Sequence, residues 1–188
     1  MERLKTKDAL ILAGIQEIRQ FGLQNFSIRR IAAECGVSCA TPYKHYPNKD
    51  MFILAIFRYL GNEWHKIQSE IIERRLSIKE TIVEISVAYV HFLVDNPDYR
   101  NIIFSHDDDS FTPEQRKEIY NLTSRSQELI SKYCASVGMP ADVRIRKTFV
   151  VRSIVYSAAI MIENGELDSS DETYNMIRKT IEREFELE

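Results

Sequence analysis

Apolar residues recur every three to four positions along most of the chain, and no segment alternates with a period of two, so the elements predicted are helices. Leu10, Ile11, Ala13, Gly14, Ile18 and Phe21 share one face of a first helix that stops at Gly22. Ser27 is a good N-cap for a shorter second helix, with Ile28, Ile31, Ala32 and Cys35 inward and Gly36 as its stop. Only Val37 separates that glycine from Ser38, the predicted cap of a third helix. Two short helices joined across so tight a glycine turn read as a helix-turn-helix.

The pattern continues to the C-terminus. Asn48 caps a long fourth helix with Phe52, Ile56, Leu60, Trp64, Ile67 and Ile71 on its apolar face. A fifth runs from about Ser77 to Asp95 and is broken at Asn96-Pro97, where the short sixth, NPDYRNIIF, begins. Thr112-Pro113-Glu114-Gln115 combines a cap, a first-turn proline and a capping-box glutamine, and predicts a seventh helix over 113–136. Asp142 is the predicted cap of the eighth, whose stretch TFVVRSIVYSAAIMI, 148–162, is apolar nearly all round. Ser169 and Glu172 predict a capping box for a ninth. The fold class expected is all-α with nine helices: a three-helix module over residues 1–48, then a helical domain over 49–188.

Composition narrows the function classes. The 188 residues hold only six Gly and five Pro, a profile that suits an ordered helical protein. The longest uncharged apolar run, Ser153 to Ile162, is half of a bilayer span, and the N-terminus lacks a signal-peptide core, so the expected location is cytoplasmic, with no membrane partner. Cys35, Cys39 and Cys134 form no CxxC pair and read as reduced thiols. The net charge of −3 divides unevenly, +3 over residues 1–50 and −6 over the remainder. A basic surface for a nucleic-acid partner therefore lies at the N-terminus.

Placed in a major groove, the third helix turns Thr41, Lys44 and His45 to one side, and Pro42 and Tyr46, four apart, to the other. Tyr43 offers a hydroxyl to a phosphate, and Lys49 adds its ammonium to a helix N-terminus that already attracts phosphate. The expected DNA contacts are Ser27, Arg29, Ser38, Cys39, Ala40, Thr41, Tyr43, Lys44, His45 and Lys49, with Arg3, Lys5 and Lys7 as a basic arm.

Ala13-Gly14, Ile18, Gly22, Phe26-Ser27, Ile31-Ala32, Gly36-Val37-Ser38, Tyr43, His45-Tyr46 and Lys49-Asp50 together resemble the DNA-binding domain of the TetR family of bacterial transcriptional regulators, over about residues 9–53. The chain departs from the family's usual residues at Cys39, Ala40, Pro42 and Tyr46, and neither Cys39 nor Ala40 supplies a strong donor to a base. The resemblance implies a homodimer that binds a palindromic operator on double-stranded DNA, acts as a repressor and is released by a small-molecule ligand. It also implies a cavity among the later helices, for which the residues expected are Trp64, His65, Phe92, Phe104, Tyr120, Phe149, Arg152 and Tyr156, with His106 a further polar group. The all-round apolarity of the eighth helix suits pairing with a second copy through Val151, Val155, Ala158, Ala159, Ile177 and Ile181.

Catalytic chemistry finds no support. HExxH, a GK[ST] phosphate loop and Glu-x-x-His are missing, and Cys39 and His45, six apart on a helix, face different ways. The run Asp107 to Asp109 reads as a solvated loop rather than a metal site. The expectation is a protein with no catalytic residues, no metal and no cofactor. The alternative from another class is a TetR-like coactivator or adaptor that works through protein partners without reading DNA itself.

Overall fold

The computed structural model describes residues 6–97, 99–100 and 124–186. Those residues form eight α-helices and no strand. They are α1 (Thr6–Phe21), α2 (Ile28–Glu34), α3 (Thr41–His45), α4 (Lys49–Glu73), α5 (Ile78–Asp95), α6 (Ser124–Ser136), α7 (Ala141–Glu163) and α8 (Asp171–Glu184), with a 3₁₀ turn at Leu23–Asn25. The predicted sixth helix beyond Arg100, the start of the predicted seventh, and Arg3, Lys5, Phe104, His106, Asp107 to Asp109 and Tyr120 lie outside the described residues. None of the described helices is long and apolar enough to cross a membrane.

By contact the described chain divides into two compact units, residues up to 63 with 97–100, and residues 64–96 with 124–186. In the first, α1 packs on α2 and α2 on α3. Gly22 at φ 73° and Gly36 at φ 66° end the first two helices in the left-handed region that glycine enters without strain. The side chain of Ser27 accepts from the backbone N–H of Arg30, as a cap should. Gly14 serves contact rather than conformation: a Cβ there would sit 2.6 Å from Cδ1 of Ile56, so its absence lets α1 approach α4 closely.

In the second unit α5 packs against α6, α7 and α8, and α7 against α6 and α8. A capping box at Ser77 and Glu80 starts α5. Its core holds the aromatic group Trp64, Tyr89 and Phe92, with Trp64 4.6 Å from Tyr89 and 5.4 Å from Phe92 between ring centroids. The ammonium of buried Lys147 on α7 donates to the carbonyl of Glu184 at 2.5 Å and lies 3.8 Å from that residue's carboxylate. It thus satisfies the C-terminal end of α8, where a cation also complements the helix dipole. Glu84 on α5 is ion-paired with Arg178 on α8 and lies 3.8 Å from Arg74 at the end of α4.

Three helix starts differ from the sequence expectation. Helix α3 begins at Thr41 with Ala40 in the cap position, not at a Ser38 cap. Ser38 instead pairs its hydroxyl with that of Thr41 at 2.9 Å and its carbonyl accepts from the Thr41 N–H. Helix α7 starts after Pro140, which places Asp142 in its first turn, where a carboxylate favours the dipole without capping. Helix α8 is capped by Ser170, whose side chain accepts from the Thr173 N–H, while Ser169 is engaged with the Tyr174 hydroxyl. Ser169 and Ser170 are neighbours with the same capping chemistry, and the bond of Ser169 to Tyr174 leaves Ser170 as the cap.

Candidate nucleic-acid interface and a groove on the seventh helix

The short helix α3 is held by its inward side. Pro42, in its first turn, is buried, and there its missing N–H removes no intrahelical bond. Tyr46, also buried, stacks on Phe52 of α4 with centroids 4.3 Å apart, and Phe52 meets the edge of Phe26 at 5.5 Å. Burial, with Asp8 nearby, raises the pKa of the Tyr46 phenol. Cys39, Ala40, Tyr43, Lys44 and His45 are exposed and Thr41 is partly so, which leaves a continuous outward row at and before the helix. Tyr43 is 54% exposed.

The flanking groups divide into outward and inward tasks. Arg29 is exposed at the start of α2, beside the capping Ser27. Lys49 is partly buried and directs its ammonium to the carbonyl of Gln24 at 3.5 Å. Cys35 donates its thiol toward the Ala9 carbonyl at 3.6 Å, and burial, then Glu34, raises its pKa, which disfavours the thiolate. Lys7 lies on α1.

A buried carboxylate that sequence reasoning missed fixes the geometry of this module. Glu17 on α1 is 3% exposed and accepts from the backbone N–H of Ser27 at 2.9 Å. It also accepts from Arg30 of α2 through Nε, at 2.9 and 3.2 Å to its two oxygens, and through Nη2. The same guanidinium donates to the Asn25 carbonyl at 2.5 Å and lies 4.2 Å over the Phe21 ring. One acid therefore joins α1, the 3₁₀ turn and the first turn of α2, and raises the pKa of Arg30. The interacting residues are 10 and 13 apart, which no helical period links. An acid among the apolar positions of the first helix was the available signal.

The residues expected to line a cavity separate into two groups. Trp64 and Phe92 are buried in the core of the second unit, and His65 is partly buried with Nδ1 3.2 Å from the Gln68 amide oxygen. Phe149, Arg152 and Tyr156 come together on α7 and line a groove of about 510 Å³ with Ser131 of α6 and Arg144, Ile145, Thr148 and Ser153. Tyr156 also approaches Tyr89 of the core, 6.4 Å between centroids.

The residues expected to pair with a second copy are engaged within the chain. Val151, Val155, Ala158, Ala159, Ile177 and Ile181 are all buried within the single chain, by the packing of α7 and α8 on each other and on α5. Apolar residues that remain uncovered on these helices are Ile145, Phe149 and Ile160 on α7 and Met176 on α8, exposed by 67, 70, 38 and 48%.

Comparison with known proteins adds an independent line. A family model described as bacterial regulatory proteins, tetR family, matches residues 10–56, the segment that carries α1 to α3 and the start of α4. A search of curated protein sequences finds no match. Among solved structures, a protein of unknown function from Rhodococcus sp. RHA1 superposes with a TM-score of 0.77 at 19% identity, covering 97% of this chain and 96% of its own. A TetR family transcription regulator from Marinobacter aquaeolei VT8 gives 0.75 at 18%, covering 95 and 94%. AibR, solved in complex with isovaleryl coenzyme A and operator DNA, gives 0.69 at 18%, covering 95 and 96%. At such identities these likenesses speak to the fold, while the family model speaks to the module that bears the outward row of α3. The tetR family model thus matches the module that carries α3, and the solved structures share the fold of the chain.

Proposed function

We propose that the protein is a transcriptional repressor that binds a palindromic operator as a homodimer through residues 1–48, and that a small molecule bound by residues 49–188 releases it. The observation that carries this reading is the exposed row Tyr43, Lys44 and His45 on α3, backed by buried Pro42 and Tyr46. A helix anchored by its apolar side presents its other side without needing its own length for stability. Lys44 and Arg29 supply charge to phosphates, Tyr43 a hydroxyl, and His45 and Thr41 polar edges for bases. Ser38, Cys39 and Ala40 precede the helix and sit close to the backbone of the duplex, and Lys49 and Ser27 hold the frame while lying near phosphate.

Dimerisation uses the uncovered outward side of α7 and α8, at Ile160 and Met176, and a two-fold dimer meets the two half-sites of a palindrome. A ligand that favours one spacing of those helices over another shifts the population off the operator, and no catalytic step is required. AibR, which shares the fold, was solved with both an acyl coenzyme A and operator DNA, which supports joining the two roles in one chain. The absence of a spanning helix among the described residues accords with work on DNA in the cytoplasm.

Selection of duplexes from a randomised library by the purified protein tests the proposal. Enrichment of a palindrome with half-sites about one helical turn apart is expected. Failure to enrich any duplex would sink the DNA-reading function and leave the adaptor alternative, for which Cys39 and Ala40, poor donors at the head of α3, are the supporting feature.

A further inference from the structure

We infer that the head of α3 selects thymine by its 5-methyl group, through the Cβ of Ala40 and the Cγ2 of Thr41, so that each half-site of the operator carries one T·A pair for each of these residues. This rests on the DNA-reading function above and names the base that its site selects.

The chemistry of the side chains comes first. In a helix-turn-helix the residues at the start of the second helix come nearest base edges. Here these are Cys39 and Ala40, both exposed, and Thr41, partly so. None carries a side-chain nitrogen or a carboxylate, the groups that recognise guanine, adenine and cytosine by hydrogen bonds. Lys44 and His45, which do carry nitrogen, lie in the last turn. The hydroxyl of Thr41 is 2.9 Å from that of Ser38. A threonine's hydroxyl and methyl lie about 120° apart around the Cα–Cβ bond, so the hydroxyl that turns back to Ser38 turns the methyl away from it.

The cap position comes second. Ala40 occupies it, and no side chain caps that end of α3. Alanine is among the poorest residues there, whereas serine, asparagine or aspartate would hold the helix start. Local stability is thus forgone at an exposed position of the interface, a departure of the kind that functional sites show. What alanine supplies instead is an exposed methyl group. In the major groove thymine alone presents a methyl of its own. It projects from C5, on the side of the base nearest its own strand's backbone, where the residues that lead into α3 sit. Two methyl groups in contact release water from both, while guanine or cytosine at the same place would have polar edge atoms covered and left unpaired.

Duplexes selected from a randomised library by the full chain supply the operator. Deoxyuridine then replaces each of its thymines in turn, which removes the methyl and leaves every hydrogen-bonding edge unchanged. Fluorescence anisotropy at one fixed salt concentration should show two positions per half-site where the change weakens binding about fourfold, the worth of one buried methyl group. Made at the same position of both half-sites, it should weaken binding by roughly fifteenfold. Thr41→Ser keeps the hydroxyl and deletes the methyl, and Ala40→Gly deletes the methyl at a cap position that suits glycine better than alanine. Each variant should erase the difference between thymine and uracil at one of the two positions and leave it at the other. An enriched palindrome with no uracil-sensitive position, or a uracil effect that both variants leave intact, overturns this proposal while the DNA-reading function stands. Failure to enrich any duplex removes that function and this selectivity with it.

Discussion

Helices α3 and α7 leave opposite kinds of surface uncovered. The five-residue α3 buries Pro42 and shows Tyr43, Lys44 and His45 outward. The 23-residue α7 buries Val151, Val155, Ala158 and Ala159, yet still exposes Ile145 and Phe149 by more than two thirds. The first of the two is thus apolar inside and polar outside, as an element that meets a charged, hydrated polymer requires. The second retains apolar surface that water does not favour, the condition of a face that meets a ligand or another copy. The difference separates two ways of being functional: α3 offers donors and charge, whereas α7 offers burial.

The largest effect expected on stability lies in the second unit. Trp64→Ala removes the centre of the aromatic group with Tyr89 and Phe92, and should lower unfolding free energy in urea by about 3–5 kcal/mol. Trp64→Phe should cost far less, since it keeps a ring and discards an indole N–H that has no hydrogen-bond partner among the described residues. A loss below about 1 kcal/mol for the alanine variant would show that Trp64 borders a cavity instead of filling a core.

Next comes the acid under the DNA-binding module. Glu17→Gln makes the module more positive, so charge alone predicts tighter binding to the selected duplex. Lost positioning of Ser27 and Arg30 at the start of α2 predicts the reverse, and binding weaker by roughly tenfold in fluorescence anisotropy is expected. Tighter binding would make Glu17 a brake on affinity and not a clamp.

Smaller and more specific is Lys44→Ala. The logarithmic dependence of affinity on salt should flatten by about 0.9, the contribution of one phosphate contact. An unchanged slope would move Lys44 away from the backbone of the duplex and weaken the contrast between a charged α3 and an apolar α7.

The smallest effect concerns His91 on α5, stacked on Tyr174 of α8 with centroids 3.5 Å apart. Burial lowers its pKa from 6.5, against Asp95 and Asp171, which raise it. The unfolded chain therefore takes up this proton first, so the stability present above pH 6.5 is lost as pH falls through that value toward the folded pKa. Thermal melts of His91→Gln between pH 7 and 5 should show a shallower decline than the parent. An identical decline would place the pH dependence elsewhere.

Much of the fold is legible in the chain because helix signals are local. Period, glycine stops and caps act over a turn, and they locate α1, α2, α4 and α5 and the helix-turn-helix between them. Pro42 and Tyr46 read correctly as the inward side of α3 because four residues return to the same face. The start of α3 does not, since Ser38 forms a hydroxyl pair with Thr41 that a cap rule does not distinguish from capping. For the expected pairing residues of α7 the sequence pattern is silent for a different reason. Apolarity on every side says that every side is to be covered, but not whether the cover is α5 and α8 of the same chain or another molecule.

The sequence by itself determined the helical class, the turn at Gly36 and the outward chemistry of Tyr43, Lys44 and His45, all set by interactions within four residues. Only the tertiary structure decided that Glu17 holds Arg30 and Ser27 from a distance in sequence, that the apolar centre of α7 is spent inside the chain, and that Arg144 and Arg152 line one groove. These depend on which helix faces approach, and that is settled by packing the whole core at once rather than by any one segment's pattern.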